Sequence, residues 1–102
     1  DQEYGYALGA RAACHALLGD LSAAKSDYAA TQSLKVAGSQ QVLLLRHGVR
    51  VHHALNDLSE AQNCAQQAAY QAHALGCGQG TTLFGSIERL VDDLGLADLE
   101  ID

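Results

Sequence analysis

Residues 15–28 read HALLGDLSAAKSDY, and residues 52–65 read HHALNDLSEAQNCA. Aligned, the two stretches pair His15 with His52, Leu18 with Leu55, Asp20 with Asp57, Leu21 with Leu58, Ser22 with Ser59 and Ala24 with Ala61. In each copy a turn residue, Gly19 or Asn56, stands directly before an aspartate. One helix stops near that residue, and the carboxylate after it accepts hydrogen bonds from the free N–H groups that open the next. Recurrence of such a unit at a fixed spacing is the mark of stacked helical hairpins. One hairpin cannot bury its apolar face alone, so a second copy covers it.

Outward from this pair, glycines punctuate the chain. Helix one is expected from about Glu3 to Leu18, stopping at Gly19. Asp20 caps helix two, which should run to Gly38. Ser39 caps helix three, which reaches about Leu55. Asp57 with Glu60 three residues later makes a capping-box-like start for helix four, ending at Gly76. The stretch GCGQGTT (76–82) reads as a loop, and Thr81 or Thr82 starts helix five, which closes near Gly95. Leu58, Ala61, Ala65, Ala68, Ala72 and Leu75 form one helical stripe, and Leu83, Ile87, Leu90 and Leu94 form another. Proline is absent and no alternating Val/Ile/Thr stretch occurs, so the expected class is all-α.

A chain of 102 residues with 48% hydrophobic and 18% charged residues suits one globular domain. Its longest apolar run is Val42–Leu45. A membrane-spanning helix needs roughly 20 residues, so no membrane partner is expected. A formal charge of −6 argues against nucleic acid or anionic lipid as partner. Cys14, Cys64 and Cys77 are odd in number and lack framework spacing, which reads as buried free thiols in a reducing cytoplasm. A start at Asp1 and the absence of methionine read as a piece of something longer.

The turn motifs LGDLSAA and LNDLSEA, each between two helices, resemble the tetratricopeptide repeat (TPR). Gly19, Leu21 and Ala24 match that family's turn pattern, as do Asn56, Leu58 and Ala61, and Tyr28 stands at its second-helix aromatic position. The resemblance implies an α-solenoid of antiparallel helical hairpins over 1–102. Repeat one would cover about 3–38, repeat two about 39–76, and a further helix of a partial repeat about 81–95. The spacing is longer than the family's usual one, its helix-ending proline is missing, and Arg11 and Gly48 occupy positions for large apolar residues. This long-repeat variety resembles repeats of bacterial regulatory proteins. It implies a protein- or peptide-binding module within a larger cytoplasmic regulator or scaffold.

No catalytic constellation is legible, and no enzyme activity or cofactor is expected. His73 and Cys77 are four apart, but Gly76 should end the helix between them. No CxxC or HxxxH pair exists, so no metal site is expected. His15 and His52 read as packed core residues with one hydrogen-bond partner each. GCGQG follows a helix instead of a strand and does not suit a phosphate-binding loop.

The sharpest candidate is on helix three. Arg46, Arg50 and His53 fall at i, i+4 and i+7 on one face, with His47 beside them. The family resemblance puts this face, together with Arg89 of helix five, on a concave groove, with Tyr6 and Leu17 on its neighbouring wall. Guanidinium groups there suit carboxylates or phosphates, and hence an acidic protein or peptide. Gly9 and Ala13 replace the Lys and Asn of the family's carboxylate clamp, so that specialised form is not expected. Three other readings stand beside the groove: a solvated arginine face, a small anionic ligand, and self-association as a homodimer.

Overall fold

The computed structural model describes residues 2–34, 36, 38–78 and 80–100. Among them the chain forms five helices: α1 (Gln2–Leu17), α2 (Leu21–Thr31), α3 (Gly38–Ala54), α4 (Leu58–Ala74) and α5 (Thr82–Asp93). No strand occurs among the described residues, and the class is all-α. None of the described helices is long and apolar enough to cross a membrane.

The two quoted turns match bond for bond. At the end of α1, Asp20 N–H donates to the His15 carbonyl and Gly19 N–H to that of Ala16. At the end of α3, Asp57 N–H donates to the His52 carbonyl and Asn56 N–H to that of His53. This paired closure satisfies the last carbonyls of each helix and requires a left-handed residue. Gly19 (φ 84°) and Asn56 (φ 61°) supply it. Each aspartate then caps the following helix. Asp20 Oδ1 accepts from Ala23 N–H and Asp57 Oδ1 from Glu60 N–H, both at 3.2 Å. Thr81 does the same for α5, accepting from Phe84 N–H at 3.3 Å.

Helix two departs from expectation by ending at Thr31 instead of reaching Gly38. Hydroxyls at and just after its last residue bond to carbonyls of its last turn. Thr31 Oγ1 donates to the Tyr28 carbonyl at 2.6 Å and Ser33 Oγ to that of Ala30 at 3.1 Å. Positions 35 and 37 of the expected helix lie outside the described residues, as does position 79 of the expected 76–82 loop. Helix α3 already opens at Gly38, which puts Ser39 inside its first turn and not at the cap.

Helix α3 is the central element because it is apolar on two sides. Val42, Leu45 and Val49 face α4 and α5, where they meet Ala61, Ala65, Ala68, Phe84 and Ile87. Leu44 and Val51 face the other way, towards Ala12 of α1 and Ala24 and Tyr28 of α2. Accordingly α1 packs on α2 and α3, α3 on α4, and α4 on α5. The buried alanines of α4 let its neighbours come close. At the ends of that stripe Leu58 and Leu75 are exposed, since each flanks a turn beyond which no described helix covers it.

Gly48 is where α2 reaches α3. A Cβ on Gly48 would overlap the Tyr28 phenol and crowd Cys64 Sγ, so the approach needs a position that carries no side chain. This accounts for glycine where an apolar residue was expected.

Two of the four glutamines of α4 hold the residues after α5. Gln62 exchanges two hydrogen bonds with the backbone of Ala97 (3.1 and 3.0 Å), and Gln66 two with Glu100 (2.6 and 2.9 Å). Leu96, just before the first anchor, and Leu99, between the two, pack on the core.

Candidate functional site

The helical spacing of α3 brings four of the sequence-derived residues to the side that α1 and α5 flank. His47 packs against Tyr6 of α1, with ring centroids 5.3 Å apart at 48°. Its two ring nitrogens are buried without a hydrogen-bond partner. Burial, and then the charges of Arg50 and Arg46, push the imidazole down to about 4, so the ring is neutral at pH 7. Arg46 is half-buried, and its Nε is likewise buried without a partner. Burial first and Arg50 second lower its pKa.

Arg50 and His53, one turn further on, line a concavity of about 290 Å³. Ala13, Ala16 and Leu17 of α1 form one wall, and Leu90, Asp93 and Leu94 at the end of α5 form the other. Leu17 is 81% exposed at the rim. Arg89 is exposed on α5 and lies outside this lining, whose α5 wall starts one residue later. Six of the seven sequence-derived residues therefore fall into two adjoining groups, Tyr6–Arg46–His47 and Leu17–Arg50–His53. The participation of Asp93 was not legible, since it depends on how α5 is rotated against α3.

The charge balance of this side is uneven. Among the described residues Arg11 forms an ion pair with Asp27, His15 Nε2 lies 3.6 Å from the same carboxylate, and no ion pair involves an arginine of α3. Arg11 is the contrasting case. Its guanidinium grips Asp27 through two bonds of 2.7 and 2.9 Å. That charge-assisted pair holds the carboxyl below the usual carboxylate range.

The histidines expected in the core sit at half-buried positions instead. His15 lies 3.6 Å from Asp27, and His52 stands edge-on to Tyr28 with centroids 5.5 Å apart. They remain partly open because each lies in the last turn of its helix, beside the hairpin turn. Cys14, expected to be buried, is exposed, because α1 turns its neighbours Ala12 and Ala13 inwards.

Sequence reasoning missed a second grouping. His52, Glu60 and Cys64 bring ligand atoms within 4.8 Å of one another, beside a cavity of about 360 Å³ between α2, α3 and α4. The signal was present as Glu60 and Cys64 at i, i+4 on α4, but only the hairpin closure adds His52 to them.

Compared with models of known protein families, with curated proteins and with solved structures, the chain matches none.

Proposed function

We propose that the chain is a TPR-like α-solenoid segment that binds an acidic stretch of protein or peptide along the α1–α3–α5 side. The observation that carries this reading is the state of Arg46 and Arg50. They are half-buried, one turn apart, and meet no carboxylate among the described residues. Partial burial of an unpaired cation costs free energy that a ligand carboxylate would offset. Tyr6, Leu17 and Leu90 supply apolar contact beside the charge. Asp93 reverses the sign at the far wall and favours a ligand whose acidic stretch ends in a neutral or basic residue.

The solenoid reading draws support from the sequence repeat, the matching hairpin turns, and the packing of α1 on both α2 and α3 and of α3 on α4. In this reading the module acts by recognition, without catalysis, as part of a larger cytoplasmic regulator or scaffold. Arg50 and His53 line a concavity near the lower size limit of ligand pockets. That favours a second reading, a small anion.

An array of acidic peptides, followed by polarisation titrations of the peptides that bind, tests the proposal. Arg46→Glu with Arg50→Glu should weaken binding at least tenfold while circular dichroism stays unchanged, and salt should weaken the wild-type complex. Binding that ignores the charge reversal would overturn the reading. Phosphate or a small dicarboxylate that binds at Arg50 while no peptide does would favour the second.

A further inference from the structure

Between α2, α3 and α4, the wall of a cavity of about 360 Å³ carries His52, Glu60 and Cys64. Glu60 and Cys64 stand one turn apart on α4, and His52 comes from the last turn of α3 across the hairpin. One nitrogen, one oxygen and one sulfur thus converge within 4.8 Å. His52 Nδ1 is buried without a hydrogen-bond partner, so the imidazole holds unused coordinating capacity. We propose that His52, Glu60 and Cys64 form a binding site for a divalent transition metal of the zinc class.

The donor set selects the metal. Imidazole and thiolate suit borderline-soft ions, whereas a single carboxylate is too little for calcium or magnesium. Bonds of about 2.0–2.3 Å around tetrahedral zinc put donors roughly 3.3–3.8 Å apart. Closing the present arrangement therefore takes about 1 Å of side-chain movement, within reach of the long Glu60 side chain. Three protein ligands leave a fourth position open to the cavity, where water or an added ligand would bind.

The first hairpin supplies an internal contrast. His15 faces Asp27 there, at 3.6 Å, in the repeat positions that His52 and Cys64 hold in the second. However, Ala23 stands in place of Glu60, and Arg11 occupies the Asp27 carboxylate. Equivalent positions leave a carboxylate taken up by Arg11 in one hairpin and offer a ligand set in the other.

Binding is coupled to a proton. Burial first and Glu60 second push the Cys64 thiol up to about 11, so it is protonated at neutral pH. The metal displaces that proton: the S–H bond breaks, a metal–sulfur bond forms with the sulfur's electron pair, and one proton leaves to solvent. Tyr28 and Lys25 from α2, His52 from α3, and Asp57 and Glu60 at the start of α4 surround the thiol or line its cavity.

Cobalt(II) titration of the reduced, tag-free chain tests the site, because a thiolate on cobalt gives a charge-transfer absorption that carboxylates and imidazoles do not. The expected result is one equivalent bound with that absorption, displaced by zinc. Cys64→Ser should abolish the band, and His52→Ala and Glu60→Gln should each weaken binding at least tenfold. Cys14→Ser with Cys77→Ser should keep it. Circular dichroism of each variant separates lost ligation from lost folding. A chain that shows no thiolate band, or one whose band survives Cys64→Ser and disappears with Cys14 and Cys77, would overturn the assignment.

Discussion

Asn56 closes the α3–α4 turn in the same left-handed conformation that Gly19 takes in the α1–α2 turn, at φ 61° and 84° respectively. Both residues present an N–H to the carbonyl three residues back and precede an aspartate whose N–H reaches five residues back. A side chain with a Cβ resists this backbone at a cost of about 1–2 kcal/mol, which asparagine softens through its short polar group. Asn56→Ala should therefore lower stability by roughly 1 kcal/mol, while Asn56→Gly should leave it unchanged or higher. Urea denaturation of the three proteins decides this. Equal midpoints for Ala and Gly would mean that the turn does not need left-handed backbone.

Gly48 admits Tyr28 against α3, and Gly48→Ala tests that contact. The added methyl gains about 1 kcal/mol of helix propensity but meets the phenol and Cys64 Sγ. Overpacking of this kind costs about 1–3 kcal/mol, so a net loss on the order of 1 kcal/mol is expected. Thermal denaturation would show a lower Tm. A rise would mean that propensity outweighs the clash and that Tyr28 moves freely.

His47 makes stability depend on pH. Its folded pKa of about 4 lies below the unfolded value of about 6.5. Between those values the unfolded chain holds a proton that the folded chain rejects. The contribution is thus fully present above about pH 6.5 and is lost as the pH falls towards about 4. His47→Phe keeps a ring against Tyr6 without the titration. Melting curves from neutral pH down to the folded pKa should fall more steeply for wild type than for the variant. Parallel curves would place the proton elsewhere, since Arg46, Arg50 and Tyr6 are unchanged.

The three thiols should react with iodoacetamide in the order of their exposure. Cys14 is exposed, Cys77 is half-buried, and Cys64 is buried with its thiol pushed up to about 11. At mildly alkaline pH in the native state, mass spectrometry should find Cys14 modified first and Cys64 last. Early labelling of Cys64 would indicate that the α2–α4 cavity opens readily.

Much of this fold was legible in residue order, because capping, left-handed turns and apolar periodicity act over three to five positions. Asp20 and Asp57 as caps, Thr81 or Thr82 as the start of α5, Gly19 as a helix end, and the inward stripes of α4 and α5 all follow from near neighbours. The overestimate of α2 came from reading Gly38 as its end, whereas α2 ends at Thr31 and Gly38 opens α3.

The candidate sites divide along the same line. The i, i+4, i+7 spacing of Arg46, Arg50 and His53 is local, and so is the pairing of Glu60 with Cys64. The partners across helices are not local: Tyr6 against His47, Asp93 across the concavity from Arg50, Tyr28 over Gly48, and His52 beside Cys64. Each depends on the rotation and separation of two packed helices, which side-chain volume at many positions sets jointly. Sequence alone determined that the chain is helical, where four of the five helices end and which stripes of α4 and α5 turn inwards. Only the tertiary structure decided which polar groups meet, because burial and interhelical distance belong to the packed chain and to no single stretch of it.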